Sequence, residues 1–133
     1  MIFFKNYYDE VRRISDDSDH SDLIRISELI ELTHDKKGKV IILGNGGSSA
    51  ISSHCVVDLT KAARIRAVTF SDAATLTCFG NDYGYEYGYS KAIEFYADPL
   101  DMVILISSSG ASKNMLNAAH TATTLGLPLV TLT

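Results

Sequence analysis

Val40-Ile41-Ile42-Leu43, followed at once by Gly44-Asn45-Gly46-Gly47-Ser48-Ser49, decides the fold. An aliphatic run with no polar alternation is the pattern of a strand buried on both faces, as in a parallel sheet covered by helices. A glycine- and serine-rich loop directly after it, opening a helical stretch to about Ala62, completes a strand–loop–helix unit. The grammar returns downstream. Met102-Val103-Ile104-Leu105-Ile106 is a second buried run, Ser107-Ser108-Ser109-Gly110-Ala111-Ser112 a second polar loop, and Lys113 to Leu125 a helix closed by Gly126. Between the two units lie a strand from Ile65 to Phe70 ending at Ser71-Asp72 and a short helix from Ala74 to Phe79. A Gly80-Asn81-Asp82 turn and a Tyr-rich helix reaching Tyr96 follow. Leu129 to Leu132 reads as a further strand. The alternation predicts an α/β fold with a doubly wound parallel sheet and right-handed crossovers.

Upstream, Phe3 to about Ile14 and Asp22 to about His34 read as two helices separated by the acidic turn Ser15-Asp16-Asp17-Ser18-Asp19. In the second, Leu23, Ile26, Leu29, Ile30 and Thr33 fall at helical spacing and form one apolar stripe. The chain of 133 residues is one domain, with residues 1–38 a helical pair for oligomer packing and residues 39–133 the parallel core. An apolar fraction of 46% with 21% charged residues fits a packed core, and the net charge of −4 argues against nucleic-acid binding. No apolar run approaches the roughly 20 residues of a membrane helix. Met1-Ile2-Phe3-Phe4 is broken at once by Lys5, Asp9 and Glu10, which predicts a cytoplasmic protein without a secretory leader. Cys55 and Cys78 have no CxxC partner and read as small buried hydrophobes.

Both polar loops sit where open α/β sheets bind ligands, at the carboxyl end of a strand and the start of a helix. Backbone N–H groups and the helix dipole favour an anion there without any lysine. Ser48, Ser49, Ser107, Ser108, Ser109 and Ser112 add hydroxyl donors, and glycines 44, 46, 47 and 110 are expected to supply positive φ angles. The GxxxxGK[ST] pattern is missing, and the third glycine of GxGxxG is replaced by Ser49, so no nucleotide cofactor is expected. Two such loops in one sheet point to a single phosphate site.

Gly44-Asn45-Gly46-Gly47-Ser48, His54, Leu59-Thr60, the block from Ser71-Asp72 through Gly80-Asn81-Asp82-Tyr83-Gly84-Tyr85, and Ile106-Ser107-Ser108-Ser109-Gly110 with Ser112 and Asn114 together resemble the phosphoheptose isomerases of the sugar isomerase (SIS) domain superfamily. The likeness runs nearly the whole chain. The serine loops are common to SIS domains; the block ending at Tyr85 and the His54 helix point to the heptose branch. The resemblance implies a SIS-type, flavodoxin-like αβα sandwich built on five parallel strands. It also implies a homotetramer with a central bundle of N-terminal helices and active sites shared between subunits. The implied reaction converts sedoheptulose 7-phosphate to D-glycero-D-manno-heptose 7-phosphate, for the heptose of lipopolysaccharide or capsule. Asn45, Gly46, Gly47, Ser48, Asp72, Ser107, Ser108, Ser109 and Ser112 would bind the sugar phosphate, and the His54 position would hold zinc, one ion per subunit.

An aldose–ketose isomerase needs a base beside the reacting carbons and an acid/base at the oxygens. The family places a Glu four residues after the histidine, where this chain has Asp58, so His54 and Asp58 are the expected catalytic pair and metal ligands. One missing methylene is a displacement on the order of 1 Å, enough to cost about a hundredfold. The family also takes a Gln and a His from a C-terminal helix, and the sequence to Thr133 is expected to lack that helix and the last strand. The alternative function is a non-catalytic SIS module that binds a sugar phosphate or a protein partner. Tyr83, Tyr85, Tyr87 and Tyr89 are expected to pack at a subunit interface.

Overall fold

β1 (Val40–Gly44) lies inside the sheet because every one of its residues is buried, and both neighbouring strands run parallel to it. A computed structural model describes residues 2–133. α1 (Ile2–Asp17) and α2 (Ser21–Asp35) precede β1, and α3 (Gly47–Lys61) follows it. Then come β2 (Ala67–Val68), α4 (Ala73–Tyr83), a 3₁₀ turn (Tyr85–Tyr87), α5 (Gly88–Tyr96), β3 (Met102–Ile106), α6 (Lys113–Thr124) and β4 (Leu129–Leu132). The sheet order is β2-β1-β3-β4, with Val40 opposite Ala67 and Met102, and Gly44 opposite Ile106. This is the doubly wound arrangement in which the chain leaves β1 toward one edge and returns past it to the other.

Alternation along the strands builds two cores. Val40, Ile42, Met102 and Ile104 face one side, where Ile26, Leu29 and Ile30 of α2 and Cys55, Val56 and Leu59 of α3 cover them. Ile41, Leu43, Val103 and Leu105 face the other, against Tyr89 and Ile93 of α5 and Met115, Ala118 and Ala122 of α6. At the amino ends of the strands, the buried Asp101 accepts hydrogen bonds from the backbone N–H of Lys39 (2.7 Å) and of Asp98 (2.7 Å), and from Lys39 Nζ. Lys39 Nζ also reaches Asp98 at 2.8 Å. Burial works against the lysine charge, but the hydrogen bonds to Asp101 and then Asp98 outweigh it and hold the Lys39 pKa above 10.5.

Four sequence expectations are corrected. The strand expected over residues 65–70 pairs only at Ala67 and Val68, because it is an edge strand that leaves β1 after Ile41. The turn expected at Gly80-Asn81-Asp82 is the last turn of α4, which runs on to Tyr83 and stops at Gly84, φ 89°. Phe79 and Tyr83 on that turn pack against Phe95, with ring centroids 5.9 and 6.3 Å away, and this packing carries the helix through Gly80. α1 extends to Asp17 through the acidic stretch, aided by Arg13 bridging to Glu10 and Asp17. Leu23 is exposed and not part of the α2 stripe, whereas Thr33 is buried.

Candidate functional site

Because Gly44 and Ile106 are register partners, the loops after β1 and β3 leave the sheet side by side, at the point where the winding reverses. Gly44 is required by close approach: a Cβ there would lie 2.6 Å from the Ser48 backbone. Gly46 is required by conformation, with φ 53° and ψ −118°, a region that L side chains avoid. These two residues let the chain fold back so that the Asn45 carbonyl accepts the Ser48 N–H (2.9 Å) and α3 starts immediately. Of the glycines expected at positive φ, 46 and 110 comply, while 44 and 47 do not.

The two loops are joined by side chains. Asn45 Nδ2 donates to Asn114 Oδ1 (2.9 Å), and Asn114 Nδ2 donates back to Asn45 Oδ1 (2.8 Å). Tyr85 Oη donates to the same Asn45 oxygen at 3.1 Å. Tyr89 Oη, deep in the core, donates to the Gly44 carbonyl at 2.6 Å. Tyr89 is therefore a core residue and not an interface one, and burial is the leading cause that pushes its phenol pKa up. Asn114, Tyr85 and Tyr89 have no site role in the sequence reading. The available signal was an amide in the first turn of the helix that follows the serine loop.

A cleft of about 720 Å³ opens over the loops, lined by Ser48 and Ile51 of α3, Ile106 at the end of β3, Ser108 in the loop after it, and Asp22 and Leu23 of α2, among others. Ser48 and Ser108 are thus brought together. Ser107 is buried beneath the loop, where its N–H donates to the Leu132 carbonyl and its carbonyl accepts the Gly110 N–H. Ser109 Oγ accepts the Ala111 N–H at 3.3 Å, so it first serves its own loop. Ser112 is the N-cap residue of α6, but its hydroxyl is not spent on the cap. Gly46 and Gly47 are exposed at the start of α3. Asp72 caps α4 by accepting the Thr75 N–H at 2.9 Å, and hydrogen bonding to Thr75 holds its carboxyl below the usual 3.8. It does not line the cleft.

His54 and Asp58 lie further along α3 on one face, with Nε2 and Oδ2 3.5 Å apart and side chains 79% and 66% exposed. They border a shallow recess with Ala50, Ile51 and Cys55. Burial, then the Asp58 charge, pushes the Cys55 thiol up, so it is a neutral hydrophobe and not a nucleophile. Zinc needs three or four donors. Among the described residues no group of three or more His, Cys, Asp or Glu is gathered to hold a metal, so His54 and Asp58 alone do not complete a zinc site.

Comparison with known proteins agrees with this architecture. A family model described as SIS domain matches residues 3–133. The chain is 33% identical over 133 residues to a phosphoheptose isomerase of Fusobacterium nucleatum, covering 96% of this chain and 69% of that one. It is 35% identical over 125 residues to one from Serratia proteamaculans, covering 90% and 65%. Among solved structures it resembles a phosphoheptose isomerase from Neisseria gonorrhoeae, with TM-score 0.89 and 27% identity over 97% of this chain and 72% of that one. The chain spans about two thirds of the length of these relatives.

Proposed function

The chain belongs to the SIS domain family, in its phosphoheptose isomerase branch, and from that premise we propose that it interconverts sedoheptulose 7-phosphate and D-glycero-D-manno-heptose 7-phosphate, supplying heptose for lipopolysaccharide or capsule. The observation that carries this reading is that Ser48, at the start of α3, and Ser108, in the loop after β3, line one cleft, and that Ile51 is shared between this cleft and the recess that holds His54 and Asp58. The loops after β1 and β3 bind the phosphate through N–H and hydroxyl donors, with Asn45 in the first loop and Ser107, Ser109 and Ser112 completing the second.

The isomerisation moves one proton between neighbouring carbons and one between their oxygens. Asp58 takes a proton from carbon 1 of the ketose, giving an enediol, and, after its exposed carboxyl has exchanged with solvent, delivers a proton to carbon 2. His54, held by Asp58, faces the two oxygens, one of which gains a proton as the other loses one. Asp58 lies ten residues past Ser48, about 15 Å along the helix axis. Helical side chains lean toward the N-terminus, so the methylene missing relative to Glu is lost in the direction of the phosphate loops. Assembly through α1 is part of the proposal. That helix buries none of its residues and exposes Phe3, Phe4, Tyr7, Tyr8, Val11 and Ile14.

The exposure of His54 and Asp58 favours a second reading, a SIS module that binds a sugar phosphate without turning it over. Calorimetric titration with sedoheptulose 7-phosphate, inorganic phosphate and unphosphorylated sedoheptulose, followed by a turnover assay, separates the two. The isomerase reading expects phosphate-dependent binding and conversion. Binding without conversion, unchanged in Asp58→Glu, selects the module, and no phosphate-dependent binding rejects both.

A further inference from the structure

We propose that Asn114 is a positioning residue of the sugar phosphate site, acting through Asn45. The proposal rests on the phosphate site described above and goes beyond it, because Asn114 does not reach the cleft. Its side chain lies in a residue only 3% exposed, and its carbonyl and amide are each engaged with the Asn45 amide. The pair joins the loop after β1 to the first turn of the helix after β3, so the two halves of an anion site on different crossovers are held at a fixed separation.

The bonding also fixes what Asn45 offers a ligand. Its carbonyl oxygen already accepts from Asn114 Nδ2 and Tyr85 Oη, which fills both lone pairs, and one of its two N–H groups donates to Asn114. One N–H remains. Asn45 therefore meets the sugar phosphate as a donor only, toward an oxygen that accepts. The segment carrying Tyr85 is itself anchored, since Asn117 Nδ2 donates to the Glu86 carbonyl at 2.8 Å and Tyr89 holds the Gly44 carbonyl. This gives the aromatic block between the two loops a physical connection to the site: through Tyr85 it sets the state of the Asn45 carbonyl.

The test is a double-mutant cycle on the affinity of the full chain for inorganic phosphate, read by NMR titration well below the melting temperature. Asn114→Ala is expected to weaken binding about tenfold in the native background, and to change it little once Asn45→Ala is present. A merely structural residue would lower the melting temperature and leave the affinity unchanged, or would add its loss in full to that of Asn45→Ala; either result overturns the proposal. Tyr85→Phe, at a residue 59% exposed, serves where Asn114→Ala does not fold. It is expected to weaken phosphate binding about threefold, an effect that disappears in Asn45→Ala, and an undiminished affinity overturns the coupling. If the unaltered chain binds no phosphate, the phosphate site itself falls and this inference falls with it. Binding by the unaltered chain with no coupling removes the inference alone.

Discussion

Under the proposed reaction Asp58 is the residue on which turnover depends most sharply, because the proposal makes it the base while its side chain is one methylene shorter than Glu. Asp58→Glu is expected to raise the rate of heptose isomerisation by about ten- to a hundredfold, and Asp58→Asn to abolish it, both measured as kcat under saturating substrate. Ser48→Ala should act on binding instead. Losing a hydroxyl that donates to a charged phosphate costs about 1.5–3 kcal/mol, so the dissociation constant for sedoheptulose 7-phosphate should rise at least tenfold with little change in melting temperature. At this scale the sequence was informative about residue types and silent about partners. Ser48 could be singled out from its loop position and His54 only from the family resemblance, but that Asn45 is held by Asn114 and Tyr85 depends on contacts between residues 40 and 69 positions apart, which no local pattern encodes. Asp72 shows the converse: its position in the family motif suggests a ligand contact, and its local geometry makes it a helix cap.

Among the elements, the junction of β1 and α3 and the knot at the amino end of the sheet carry separate predictions. Gly46→Ala meets no neighbour, so its cost is conformational, about 1–3 kcal/mol for a side chain forced to φ 53° and ψ −118°, measurable by urea unfolding. Asp101→Ala leaves the Lys39 ammonium and two backbone N–H groups without their shared acceptor. It should destabilise the chain by about 3 kcal/mol while leaving phosphate affinity intact, because the knot is at the far end of the strands. The pH dependence follows from the same group. Lys39 has a folded pKa raised above 10.5, so its contribution is complete below that pH and is lost as pH climbs through the raised value. Asp98, lowered first by its hydrogen bond to Lys39 and then by the lysine's charge, contributes above pH 3.8 and loses that contribution as pH falls through its lowered value. Thermal melts across pH should show both flanks in the parent and a weakened alkaline flank in Asp101→Ala. The buried strands were legible because an unbroken aliphatic run has few other homes. The end of α4 was not, since Gly80 reads locally as a stop and the packing that rewards continuing past it comes from Lys91 and Phe95 of α5.

In the whole molecule, the doubly wound order was implied by alternation alone, but the placement of the site at the β1–β3 reversal needed the register that sets Gly44 beside Ile106. α1 is the feature that the isolated chain leaves unexplained. Its aromatic and aliphatic side chains lie exposed, and burying them against other copies would remove that surface from water. Light scattering should therefore find an oligomer that dissociates when Phe4, Tyr8 and Val11 are replaced together by Asp, with the parallel core still folded by circular dichroism. An unchanged mass would place the contact elsewhere. The central claim, that this cleft holds a phosphosugar while α3 moves its proton, is tested most directly by following sedoheptulose 7-phosphate with the full chain in deuterium oxide by NMR. The account predicts growth of the aldose signals with deuterium entering at carbon 2; a ketose that binds yet shows neither aldose nor deuterium exchange at carbon 1 would contradict it.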